Sequence, residues 1–238
     1  MSDILWGVMI TKSGRNVVEE GIFRKTGTVR KQQELLDRIE RGEDLELEAG
    51  NFSIHECASV LKTFLGNLTE PLATNACYKA HLGVADFQTQ DFEKRLYCTQ
   101  LLLELIPDQY FRLLKDLLFL LNGVAQREEE NKMTASNLGM MFSTHILCPK
   151  SLSAEDLASK HPLVSRATTF MIENPIELFR LSDNCSLFKE VQKFISRRLL
   201  LRAYFIFSFS LNLFFLEAVT VDCPWPSEAN WVNPEWSV

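Results

Sequence analysis

The stretch Ser53-Ile54-His55-Glu56-Cys57-Ala58-Ser59-Val60-Leu61-Lys62-Thr63-Phe64-Leu65-Gly66 reads as one helix with both of its ends written in. Ser53 with Glu56 three residues on is a capping box. The serine hydroxyl accepts from the Glu56 amide, and the carboxylate reaches back to the Ser53 amide. Val60, Leu61, Phe64 and Leu65 then share a face, the spacing of a helix that buries one stripe. Gly66 is the expected left-handed stop.

Outward from this stretch the same period recurs. Residues 28–41 place Leu35, Leu36 and Ile39 together and close at Gly42. A helix over 91–106 is expected to stop at Pro107. The next, over 108–127, holds Leu113, Leu114, Leu117, Leu118, Leu120 and Leu121, so most of its circumference is predicted to be buried. Pro71 is read as opening a helix. Thr134 caps a shorter helix through Phe142, and Ser153, Pro162 and Pro175 punctuate three more. No run before residue 203 alternates cleanly with period two. The fold class is all-α.

The 238 residues allow one large domain, or one domain with extensions. Hydrophobic residues make up 46% and charged residues 24%, the balance of a globular protein. A net charge of −6 speaks against bulk nucleic-acid binding. The six cysteines contain no CxxC pair and are read as reduced thiols of a cytoplasmic protein. His55 with Cys57, and His145 with Cys148, lack further ligands at zinc-site spacing, so no metal is expected. Arg127-Glu128-Glu129-Glu130 reads as a solvated helix end. Asn51, Asn67 and Asn184 fit the glycosylation sequon by chance, because residues 1–11 lack a signal-peptide pattern.

The ends differ from the body. Residues 1–18 show no amphipathic period and are read as an N-terminal extension or a truncated domain start. Residues 203–216 carry no charge and are rich in Phe, between Arg202 and Glu217. They are short of the roughly 20 apolar residues of a membrane span, although a peripheral membrane contact is compatible with them. Residues 203–238 are read as an appendage to a domain over 19–202.

One loop carries chemistry. Glu20-Gly21-Ile22-Phe23-Arg24-Lys25-Thr26-Gly27 sets an arginine between two glycines, after an Ile-Phe pair suited to anchoring in a core. Such a loop can hold a guanidinium away from the protein's own surface. A planar cation held out in this way suits a phosphoryl-transfer site, where charge spreads over the γ-phosphate oxygens. The plainer reading is a solvated loop arginine.

Gly21 to Gly27 resembles the arginine-finger loop of Rho-type GTPase-activating (RhoGAP) domains. Leu61-Lys62-Thr63-Phe64-Leu65-Gly66-Asn67-Leu68-Thr69-Glu70-Pro71-Leu72 is similar to that family's second motif, and Gly66 with Thr69 points to one subgroup. Asn131-Lys132-Met133-Thr134-Ala135-Ser136-Asn137-Leu138-Gly139-Met140-Met141-Phe142 resembles the third motif, followed by Leu147-Cys148-Pro149. The resemblance spans residues 19–188. It implies a bundle of about nine helices that binds a Rho-family small GTPase in its GTP state. It also implies Arg24 as a catalytic arginine finger lent in trans, with Lys62 and Asn137 supporting the finger or the interface. No cofactor is implied, and the hydrolytic site belongs to the partner. A catalytically impaired module of the same fold is the alternative. Two features favour that alternative: Gly66 stands where the family commonly carries arginine, and few residues precede the finger.

Overall fold

The computed structural model describes residues 18–43, 52–87 and 91–180. The expected N-terminal segment, apart from Val18, and the expected appendage over 203–238 lie outside the described residues. So do the boundary at 202 and the sequons at Asn51 and Asn184.

Among the described residues there are nine helices and no strand, so the all-α class holds. They are α1 (Val29–Glu40), α2 (Ile54–Asn67), α3 (Tyr78–Ala85), α4 (Phe92–Leu103), α5 (Asp108–Ala125), α6 (Glu128–Asn131), α7 (Ala135–Ile146), α8 (Ala154–Glu173) and α9 (Pro175–Arg180). None of them is long and apolar enough to cross a membrane.

Four helix starts have a local cause in their own sequence. The Ser53–Glu56 capping box forms, with the Ser53 amide donating to Glu56 Oε2 at 2.6 Å. Thr134 Oγ1 accepts from the Asn137 amide at 3.1 Å, and Ser153 Oγ accepts from the Asp156 amide at 3.1 Å. Pro175 opens α9.

The core follows the apolar stripes. Leu35 and Ile39 of α1 pack with Leu61 and Leu65 of α2, and Leu114, Leu117, Leu118 and Leu121 of α5 fill the centre. Burying one such leucine contributes about 1.5–3 kcal/mol. The most extensive helix contact joins α7 to α8.

Four expectations need correction. Helix α2 does not stop at Gly66, which keeps a helical backbone; the helix runs to Asn67 and the chain turns extended at Leu68. A left-handed stop is unnecessary because Lys150 Nζ, from beyond α7, donates to the Gly66 carbonyl at 2.7 Å and to the Leu68 carbonyl. Pro71 does not open a helix. Leu72 and Ala73 donate to the His145 and Ile146 carbonyls, satisfying the C-terminal end of α7, and α3 begins only at Tyr78.

Pro162 does not separate two helices either. It lies exposed inside the continuous α8, whose Val164, Ala167, Phe170 and Met171 are buried, so packing outweighs the lost amide. Last, α7 continues beyond Phe142 to Ile146, because Ser143 and Ile146 are buried as well. Residues 128–131 form a helical turn of their own, α6, and Lys132 follows in the left-handed region at φ 60°.

Candidate functional site

The loop from Glu19 to Thr28 joins no sheet and lies in no helix, yet hydrogen bonds hold its backbone at Gly21, Phe23, Gly27 and Thr28. Gly21 sits at φ +73°, the region that favours glycine, and its amide donates to the Asn131 carbonyl at 2.8 Å. The Gly21 carbonyl in turn accepts from the Arg24 and Lys25 amides at 2.9 and 2.8 Å. Phe23 is also left-handed, at φ 66°, an unusual conformation for a bulky residue. Its side chain offsets that strain. The ring is wholly buried and meets the Phe142 ring edge-to-face at 5.0 Å between centroids. Ile22 is wholly buried beside it.

Lys62, half-buried on α2, reaches across and donates from Nζ to the Phe23 carbonyl at 2.7 Å. Burial holds the pKa of this ammonium below its ordinary value. The far side of the loop is tied as tightly. Gln32 Nε2 donates to the Gly27 carbonyl at 2.7 Å, and the Thr28 amide donates to Glu56 Oε1 at 2.9 Å. The buried Glu56 is thus both the helix cap and an anchor for the loop. Burial pushes its carboxyl pKa up, but hydrogen bonds from Ser53 and Thr28 outweigh that and hold it below the ordinary value. Gly27 lies so close to this carboxylate that a Cβ would fall 2.6 Å from Glu56 Oε1.

Arg24 crowns the arrangement. It is exposed, and no hydrogen bond or ion pair of its guanidinium occurs among the described residues. The neighbouring Lys25 pairs with Glu20 at 3.1 Å in solvent, which leaves Arg24 unpaired. An exposed pair of that kind contributes little to stability. The structure therefore brings Lys62 to the arginine loop. Asn137 makes no side-chain hydrogen bond to that loop among the described residues: its side chain is exposed on the first turn of α7, and its backbone amide is engaged by Thr134.

Sequence reasoning gave Asn131 and Glu56 no part in the loop. Glu56 was legible only as a cap, and Asn131 only as the first letter of a motif. Nothing in a linear pattern reports that Asn131 meets Gly21, 110 positions away, through its backbone oxygen. Among the described residues no three His, Cys, Asp or Glu side chains gather as a metal site. His55 Nε2 faces Glu19 Oε1 at 3.8 Å, and His145 lies toward Lys62 and Lys150.

The helical bundle has known counterparts in sequence and in fold. The chain belongs to the RhoGAP domain family, whose model matches residues 8–151. It is 38% identical to Rho GTPase-activating protein 19 of Gallus gallus over 176 residues, covering 70% of this chain and 36% of that protein. The human protein of that name is 37% identical over the same shares, and Rho GTPase-activating protein 68F of Drosophila melanogaster is 33% identical over 69% of this chain and 33% of its own length. The chain thus spans about a third of the length of these curated relatives.

Two crystal structures share the fold. That of human Rho GTPase activating protein 15 superposes with a TM-score of 0.68 at 20% identity, over 74% of this chain and 82% of that one. The BH domain from GRAF, the GTPase regulator associated with focal adhesion kinase, gives 0.64 at 24%, over 74% and 93%.

Proposed function

We propose that this chain accelerates GTP hydrolysis by a Rho-family small GTPase in its GTP-bound state, with Arg24 entering the partner's nucleotide site as an arginine finger. The observation that carries the reading is an exposed, unpaired Arg24 on a loop whose base is fixed by Lys62, Asn131 and Glu56. A guanidinium fixed in advance stabilises the charge that gathers on the departing phosphoryl group without reorganising at that moment. Its planar fork suits phosphate oxygens better than an ammonium does. An arginine supplied in trans is worth roughly 10³–10⁵ in rate. The partner supplies nucleotide, metal and attacking water, so this chain needs no base, nucleophile or cofactor of its own. Its place of action is then the cytoplasm, where such partners work.

The test is phosphate release from a panel of GTP-loaded Rho-family GTPases, with and without the purified chain. Acceleration of at least one partner is expected. A folded chain that accelerates none of them refutes the reading.

A second reading is a module that binds the GTP state without speeding hydrolysis. It draws on Gly66, where the end of α2 presents no side chain. It predicts complex formation, an unchanged hydrolysis rate and indifference of that rate to Arg24→Ala. Gly66→Arg would then raise affinity and nothing else.

A further inference from the structure

Asn131 is wholly buried, and three of its polar groups face three different parts of the fold. Its Nδ2 donates to the Val124 carbonyl at 2.8 Å, joining the Arg127 amide there at the C-terminal end of α5. Its Oδ1 accepts from the Met133 amide at 2.8 Å, which fixes the turn past the left-handed Lys132 toward α7. Its own carbonyl accepts from the Gly21 amide at 2.8 Å. A single residue therefore ties the end of α5 and the entry to α7 to the hinge glycine of the arginine loop.

The Gly21 carbonyl accepts from the amides of Arg24 and Lys25, so a shift of Gly21 carries straight through to Arg24. The opposite side of the loop has its own tie in Lys62 to Phe23. Between these two anchors the backbone leading to Arg24 is fixed at positions 21 and 23. Remove either and the segment from Gly21 to Arg24 keeps only one of these two ties, because the Gln32 and Glu56 bonds hold the loop beyond Arg24, at Gly27 and Thr28.

We infer that Asn131 is a positioning residue for Arg24, acting through the Gly21 amide and without reaching the partner. The inference rests on the arginine-finger reading above. Buried and hydrogen-bonded on every side, Asn131 offers no surface to a bound protein, so its influence on hydrolysis has to pass through the loop.

The experiment uses the full chain in two altered forms. One is Asn131→Ala. The other replaces Gly21 by glycolic acid, which exchanges the amide N–H for an ester oxygen and alters no side chain, so it tests the single bond even if Asn131→Ala misfolds. Both are expected to lower the stimulated hydrolysis rate at saturating activator by about a hundredfold, the usual penalty of a displaced catalytic group. Affinity for the partner loaded with a non-hydrolysable GTP analogue should stay within about threefold, because uniform binding is untouched. In an Arg24→Ala background the ester should change the rate no further.

An ester form with an unchanged rate overturns the proposal, as does one that weakens binding as much as it slows hydrolysis or one whose effect persists without Arg24. Amide hydrogen exchange at Gly21 separates this failure from failure of the underlying reading. Faster exchange in Asn131→Ala, with α2 still protected, together with a rate indifferent to Arg24→Ala, shows that the tie exists but that no finger depends on it. In that case the positioning role falls along with the finger.

Discussion

Gly27 and Gly66 lie near the two ends of α2, one at the base of the arginine loop and the other at the end where the family commonly carries a cation. At Gly27 a Cβ would collide with the Glu56 carboxylate at 2.6 Å, and the surrounding backbone is hydrogen-bonded to Gln32 and, at Thr28, to Glu56. At Gly66 a Cβ would meet only the His145 ring, at 3.6 Å, and a small cleft lined by Leu65, Pro71, Thr144 and Lys150 opens alongside. The first region is overdetermined and the second has room. Tolerance to substitution should therefore differ sharply across a single helix. The loop end is built to hold one conformation, whereas the Gly66 end leaves its surface open to whatever a partner brings.

The sharpest way to break this contrast is at the tip of the held loop. Arg24→Ala should reduce stimulated GTP hydrolysis by roughly 10³–10⁵-fold, with Arg24→Lys failing to restore it. Thermal stability should change little, because the exposed Arg24 guanidinium makes no hydrogen bond or ion pair within the described fold. A rate loss under tenfold would mean that the loop's rigidity serves something other than presenting this group.

Next comes the tie beneath the tip. Lys62→Met keeps the aliphatic stem and removes the ammonium, leaving the Phe23 carbonyl without its donor. Single-turnover kinetics should show a loss of about a hundredfold in the catalytic step, as expected when a supporting group is removed and the catalytic one shifts. If affinity falls and the catalytic step does not, Lys62 contacts the partner directly instead of steadying the loop.

The two glycines can also be compared directly, by calorimetry or denaturant unfolding. Gly27→Ala should cost about 1–3 kcal/mol, because the added methyl overpacks against a buried carboxylate that three hydrogen bonds hold in place. Gly66→Ala should instead stabilise by about 0.5–1 kcal/mol, since Gly66 is helical and alanine is the better helix former. Equal effects of the same sign would dissolve the contrast between the two ends of α2.

This contrast also marks what could be read from the chain. The helices came from periodicity and caps, because Ser53, Thr134 and Ser153 act on amides within their own turn. The burial of Ile22 and Phe23 could be read from their place before a Gly-bounded arginine. Errors arose where distant residues settle a local question. Lys150 decides how α2 ends, the C-terminal end of α7 recruits Leu72 and Ala73, and packing carries α8 through Pro162. The support of Arg24 belongs with these. Its anchors on α2 and before α7 lie tens of residues and more than a hundred residues away, so a linear pattern can mark them as motif letters but cannot assign their contacts.

His145 links the two ends electrostatically and gives the finest test. Burial holds its imidazole below the ordinary histidine pKa, and the ammonium groups of Lys62 and Lys150 lower it further. Lys62 ties the held loop and Lys150 the open end, so His145 senses both. Removing either positive charge should raise the His145 pKa, with Lys62→Met shifting it more than Lys150→Met, as a proton NMR titration of the ring would show. The sign for stability follows. A histidine with a depressed folded pKa favours the fold while neutral, so that contribution is complete above the unfolded value near 6.5 and is lost as pH falls through the folded one. Both lysine variants should shrink this acid-side loss. A His145 pKa indifferent to Lys62→Met would place that ammonium farther from the imidazole than its reach toward Phe23 implies, and the two ends of α2 would then be electrostatically independent.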